Sequence, residues 1–193
     1  MTETQRDERQ TLHPSRIAQF YSLNQCPAYL AHEYTDVFTD PSIGDVQLSP
    51  LLQVTGQDHE QSQLEALLAA RVRAIGPSES PMSASFESHW TGDSDTDAAQ
   101  ICRLIKNLVA NPDARPLVFH QLPLSEQIGA WPITGAADVV LAVPTEWGVN
   151  VRVVEIKSAG ETLTHHKLQA ATYSLCVKQL EKDPWEDIDE RYP

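Results

Sequence analysis

Gly135-Ala-Ala-Asp138-Val-Val-Leu-Ala-Val143 is followed, after Pro144-Thr-Glu-Trp-Gly148, by Val149-Asn-Val-Arg-Val-Val154-Glu155-Ile156-Lys157. Both halves are rich in β-branched residues and bounded by turn formers, which is the pattern of strands. Pro and Gly in the break supply a reversal, so the halves are expected to pair as an antiparallel hairpin. Side chains alternate across a strand, pointing Glu155 and Lys157 one way and Ile156 the other, into the core. Asp138, near the start of the partner strand, then comes close to Glu155. Two carboxylates beside an ammonium on rigid strands outline a site for a divalent cation and hydrolysis. Glu-Ile-Lys alone also describes an ordinary solvated strand face, so the rest of the chain has to add to it.

Upstream, the pattern predicts a strand over Pro116 to Ile128, leading past Trp131-Pro132 into the hairpin. Before it, Asp97 to Ala110 reads as a helix with Ile101, Leu104, Ile105 and Leu108 as its apolar stripe, ended by Pro112 and Pro116. Gly76 to Asp95 is dense in Ser, Pro, Gly and Asp, and is expected to be a mobile loop (about 76–95). A helix is predicted from Gly56 to about Ile75, with Leu64, Leu67, Leu68, Arg71 and Val72 at helical spacing. Ser15 to about Tyr34 reads as helical, interrupted at Asn24-Gln-Cys26-Pro27. Asp36 to Pro50 is expected to be loop. Downstream, Ser158-Ala-Gly160 reads as a turn and Thr164 to Glu181 as the last helix. Residues 1–13 are expected to be disordered, 14–181 to form one domain, and 182–193 to be a loose tail.

The chain has 193 residues, enough for one domain with a sizeable core. It has no apolar run of membrane-spanning length and a polar beginning, Met1-Thr-Glu-Thr-Gln-Arg-Asp-Glu-Arg, so a cytoplasmic location is expected. Cys26, Cys102 and Cys176 are far apart, which argues against a disulfide scaffold or a self-contained zinc site. The formal net charge is −13, from 27 acidic and 14 basic residues. Nucleic-acid binders usually show a basic footprint, and the whole chain does not. A salt-loving host, whose proteins carry acidic surfaces, is one account of that charge.

Other residues fall into the same frame. Gly56-Gln-Asp-His59-Glu60 places His59 and Glu60 in the first turns of a predicted helix. Gln169 and Tyr173, four apart on the last helix, share a face. His165 and His166 are adjacent and diverge, so at most one of them faces the same way.

Taken in order, Gly56…His59-Glu60, Gly135-x-x-Asp138, Glu155-x-Lys157 and Gln169-x-x-x-Tyr173 resemble the PD-(D/E)XK nuclease superfamily. Within it the pattern is similar to the RecB-like exonucleases, which include CRISPR-associated adaptation exonucleases. The resemblance spans about Ser15 to Leu180. It implies an α/β fold, with a mixed central sheet flanked by helices in a restriction-endonuclease-like core under an N-terminal helical cap. It also implies metal-dependent DNA cleavage of the exonuclease type, in repair and recombination or in CRISPR spacer acquisition. Its substrate would be single-stranded DNA or DNA ends, and its partners repair or adaptation proteins.

Carried over residue by residue, Asp138 and Glu155 would hold Mg2+ or Mn2+ with the backbone carbonyl of Ile156, and His59 would add an imidazole. Lys157 would orient the attacking water, while Gln169 and Tyr173 would position a phosphate or that water. His166 would approach DNA, and Glu60 would stand behind the ligands. Cys26-Pro27 matches the first thiolate of the iron–sulfur members, whose other three follow the nuclease core. No such cluster follows here, so either Cys26 is an unpartnered relic or the chain is part of a longer polypeptide that completes an iron–sulfur cluster. A free buried Cys packing as a small hydrophobe is the plain reading of Cys26. A second functional class stays open: a non-catalytic DNA-binding or structural module that keeps the fold.

Overall fold

The computed structural model describes residues 11–27, 29, 50–70, 72–157 and 163–185. The expected tail over residues 1–10, the helix continuing to Tyr34, the loop over 36–49, the turn at Ser158–Gly160 and the last residues, 186–193, lie outside them. The chain is an α/β protein built on one five-stranded mixed sheet flanked by four helices. In chain order these are α1 (Pro14–Ser22), α2 (Pro50–Ala69), β1 (Arg73–Gly76), β2 (Ser88–His89), α3 (Ser94–Val109), β3 (Leu117–Ile128), β4 (Trp131–Thr145), β5 (Gly148–Val154) and α4 (Thr164–Trp185). The strand order is β2-β1-β3-β4-β5, parallel between β1 and its two neighbours and antiparallel from β3 to β5. Among the described residues no helix is long and apolar enough to cross a membrane.

The quoted hairpin forms as β4 and β5, paired from Val139↔Val154 to Thr145↔Gly148 around a tight turn at Glu146-Trp147. Two boundaries differ from expectation. β5 stops at Val154, so Glu155 to Lys157 leave the ladder, and β4 begins at Trp131, straight after the turn at Gly129-Ala130. Gly129 takes φ 62°, which glycine adopts without a side-chain penalty and which lets β3 reverse into β4.

The sheet buries both faces. Ile101, Ile105 and Leu108 of α3 and Tyr173, Cys176 and Val177 of α4 cover one face, against Leu117, Phe119, Leu122, Leu124, Ile133, Ala137, Val140 and Ala142. Leu64 of α2, helped by Leu67 and Leu68, covers the other with Ala74, Phe86, Val118 and Val139. α1 packs on α4 and β4.

Five further expectations are corrected. The segment read as a mobile loop over 76–95 carries edge strand β2, whose neighbour Trp90 donates its indole N–H to the His120 carbonyl at 2.9 Å. Phe86 anchors this excursion against Gly76, where an added Cβ would stand 2.5 Å from the ring. Ile75 lies in β1 rather than at a helix end, because four buried or half-buried residues there complete the sheet. Gly56 sits inside α2, which begins at Pro50. Leu12, assigned to the disordered start, bridges Ile133, donating to the Pro132 carbonyl at 2.8 Å and accepting from Thr134 at 2.9 Å. The last helix also runs on through residues 182–185.

Candidate active site

β5 ends one residue before it would pair with Asp138, and that early ending makes the site. Past the last pair, Val139↔Val154, the chain peels away, and the backbone N–H of Ile156 donates to Asp138 Oδ2 at 2.8 Å. A side-chain acceptor thus replaces the next rung of the ladder and fixes the departing segment. Ile156 packs on the Leu64–Val139 side of the sheet, so Glu155 and Lys157 turn away from it together. Lys157 Nζ lies 2.6 Å from Glu155 Oε1.

Glu155 is the anomaly. Its side chain is 4% exposed, and among the described residues neither carboxylate oxygen has a hydrogen-bond donor aligned on it, the Lys157 ammonium neutralising it by proximity. Buried carboxylates normally accept several hydrogen bonds. Beside it, burial first and the Glu155 charge second push the Asp138 carboxyl from its usual 3.8 up to about 7. Two buried carboxylates and one ammonium leave the cluster short of positive charge. A proton on Asp138 makes up the deficit in the absence of a cation.

The other expected residues fall on different sides. Gln169 and Tyr173 both turn inward from α4 and are buried. Gln169 and the Ala136 backbone lie within hydrogen-bonding reach of the Tyr173 hydroxyl, whose pKa is pushed up to about 12 by burial and by Glu155. Gly135 permits this approach, since a Cβ there would stand 3.0 Å from the Tyr173 hydroxyl and 3.2 Å from Pro14. His166 sits at the amino-terminal end of α4 with its ring 4.2 Å from that of His165, and its pKa is lowered by desolvation, by His165 and by Lys157. Lys157 thus stands near the two imidazoles at the rim.

His59 is not brought in. It is half-buried on α2, and among the described residues no hydrogen bond or ion pair joins it to Asp138, Glu155 or Lys157. The α2 charge felt at Asp138 belongs to its neighbour Glu60, the helix being turned so that Glu60 faces the sheet four residues before buried Leu64. Glu60 Oε1 accepts from Gln121 Nε2 at 3.1 Å and lies 3.9 Å from His120 Nε2. His120, which no sequence motif singles out, is 4% exposed with Nδ1 at 3.2 Å from the Asp138 carbonyl. Since a carbonyl only accepts, Nδ1 carries the proton. Burial lowers the His120 pKa. Glu60, His120 and Gln121 also line a cavity of about 460 Å³ between α2 and the segment from Pro77 to Met82.

No disulfide joins Cys26, Cys102 and Cys176 to one another, and Cys176 is packed in the core beneath α4. Among the described residues no group of three or more His, Cys, Asp or Glu side chains is poised around one metal position. Protein side chains in the cluster around Asp138 therefore supply two carboxylates, and a cation there would complete its shell with backbone oxygen, water or substrate. Compared with protein-family models, with curated proteins and with solved structures, the chain matches none.

Proposed function

We propose that this protein hydrolyses DNA phosphodiesters with the aid of a divalent cation, in the manner of the RecB-like nucleases its motifs resemble. The observation that carries the reading is the Glu155 carboxylate, buried among the described residues without a hydrogen-bond donor and next to Asp138, whose carboxyl pKa is pushed up by burial and by Glu155. Two hard oxygen donors short of positive charge suit Mg2+ or Mn2+. Asp138, Glu155 and the Ile156 carbonyl would hold the ion. Such an ion lowers the pKa of bound water and polarises a phosphodiester.

The chain's own residues account for the rest. Asp138 is fixed by the Ile156 amide, so its free oxygen is aimed before any ligand arrives. Lys157 is about one-third exposed, and with its ammonium released from Glu155 it would orient the attacking water and offset charge on the phosphate. Buried Tyr173 and Gln169 brace β4 at Gly135-Ala136, two residues from Asp138, and hold that carboxylate in place rather than touching a phosphate. His166 and His165 at the rim would meet the DNA backbone.

The net charge of −13 favours the second reading, a non-catalytic module that keeps this fold. End-labelled single- and double-stranded DNA incubated with Mn2+, Mg2+ or EDTA separates the two. The nuclease reading expects shortening that needs the cation. Intact DNA under every condition, or cleavage insensitive to EDTA, would overturn it.

A further inference from the structure

On β3, Leu117 and Phe119 face the core beneath α3 and α4, yet beyond Gln121 that core is filled by Leu122 and Leu124. On β4, Ile133 and Ala137 face the same core, yet beyond Asp138 it is filled by Val140 and Ala142, while Val139 turns to the α2 side. Alternate residues of a strand point to opposite faces, so both strands slip by one residue. They slip at the same level. Gln121 and Asp138 stand opposite each other between His120↔Val139 and Leu122↔Ala137, and this pair alone drops out of the register. Gln121 adopts φ 46°, a left-handed conformation unfavourable for a residue with a side chain. Strain of this kind persists only where its surroundings enforce it.

The enforcing contact is His120. Its Nδ1–H donates to the Asp138 carbonyl at 3.2 Å, the group that the missing rung leaves without its strand partner. Its ring also lies 5.8 Å from that of Phe86, so β4 and the segment before β2 both hold the imidazole in place. We propose that His120 is a positioning residue that locks the paired slip at Gln121 and Asp138, and thereby turns the Asp138 carboxylate out of the sheet toward Glu155 and the Ile156 amide. Without the slip Asp138 would follow the β4 alternation into a core-facing or outer position. The consequence for catalysis rests on the nuclease reading above, while the geometry does not depend on it.

The test compares the parent protein with His120→Ala, His120→Leu and His120→Asn. Leu keeps most of the volume without a donor, and it serves if the Ala variant fails to fold. Asn places an amide nitrogen where the imidazole carries Nδ1. The local readout is hydrogen exchange at the Ile156 amide, which donates to Asp138 Oδ2. Exchange there should quicken at least about tenfold in the Ala or Leu variant and return toward the parent rate with Asn, while amides of the β4–β5 ladder keep their protection. DNA cleavage should fall ~10²-fold in the donor-less variants, the scale of a small misplacement of a reacting group, and recover with Asn. Parent-like exchange at Ile156 in the Leu variant overturns the proposal, as does an Asn variant no better than Leu. If the parent cuts no DNA, the nuclease reading fails and the exchange result still decides the role of His120.

Discussion

A carboxylate buried with no aligned donor costs several kcal/mol unless a nearby charge offsets it, and for Glu155 the Lys157 ammonium, 2.6 Å away, is such a charge. The two residues should separate chemistry from binding. Lys157→Ala is expected to lower cleavage ~10²–10⁴-fold while Mn2+ and DNA still bind, because both carboxylates remain. Glu155→Ala should lose cation binding and cleavage together. Calorimetric titration with Mn2+ alongside a cleavage assay reads both, and a Lys157→Ala protein cutting at the parent rate would make the ammonium a bystander. Asp138 gives a pH signature in metal-free protein. With its pKa raised from 3.8 to about 7, the folded state holds this proton more tightly than the unfolded chain does. Its stabilising effect is therefore complete below about pH 4 and is lost as the pH rises to about 7. Thermal melts in EDTA should fall between pH 5 and pH 8, and Asp138→Asn should flatten that fall.

Among the elements, α4 and β4 meet where a side chain at Gly135 would collide. Both neighbours are anchored, Tyr173 by Gln169 and the Ala136 backbone, and Pro14 by burial. Gly135→Ala should cost about 1–3 kcal/mol by overpacking, and less in a Tyr173→Phe background, which removes the nearest atom. Chemical denaturation of the single and double variants measures the difference, and equal costs in both backgrounds would show that the hydroxyl is not the obstacle. The start of α3 is held differently. Asp93 caps it by accepting from Thr96 at 2.8 Å, while Asp97, 1% exposed, accepts from the Thr91 amide and hydroxyl at 2.8 and 2.9 Å and from the Gly92 amide at 3.2 Å. These bonds give a segment rich in turn formers a fixed path from β2 into the helix.

Across the whole molecule, an excess of 13 negative charges works against compactness by self-repulsion. Salt screens exposed charges over about 10 Å at 0.1 M and over less at higher concentration. The melting temperature should therefore climb as KCl is raised from millimolar to molar, and a flat response would remove self-repulsion as a meaningful cost. The Lys157 ammonium stands beside the His165 and His166 imidazoles at one place on this acidic surface, at the rim of the site. A polyanion repelled elsewhere would be guided there.

Periodicity of two in Val149–Lys157 was enough to place Glu155 and Lys157 on one side with Ile156 on the other, and the stripe Ile101, Ile105 and Leu108 was enough for α3. Such patterns are local: they follow from backbone geometry that each residue meets through its own neighbours in the chain. β2 was not legible, because two residues become a strand only when β1 offers an edge beside them. Nor was the facing of Glu60 toward the sheet, since the sequence places His59 and Glu60 on α2 but not the rotation that packing Leu64 against the sheet imposes. His120 left no motif at all. Its importance arises from a slip shared by two strands, visible only once Gln121 and Asp138 face each other. Alternation along a strand is a property of the chain, whereas where it breaks is settled by which side chains fill the two faces of the finished sheet.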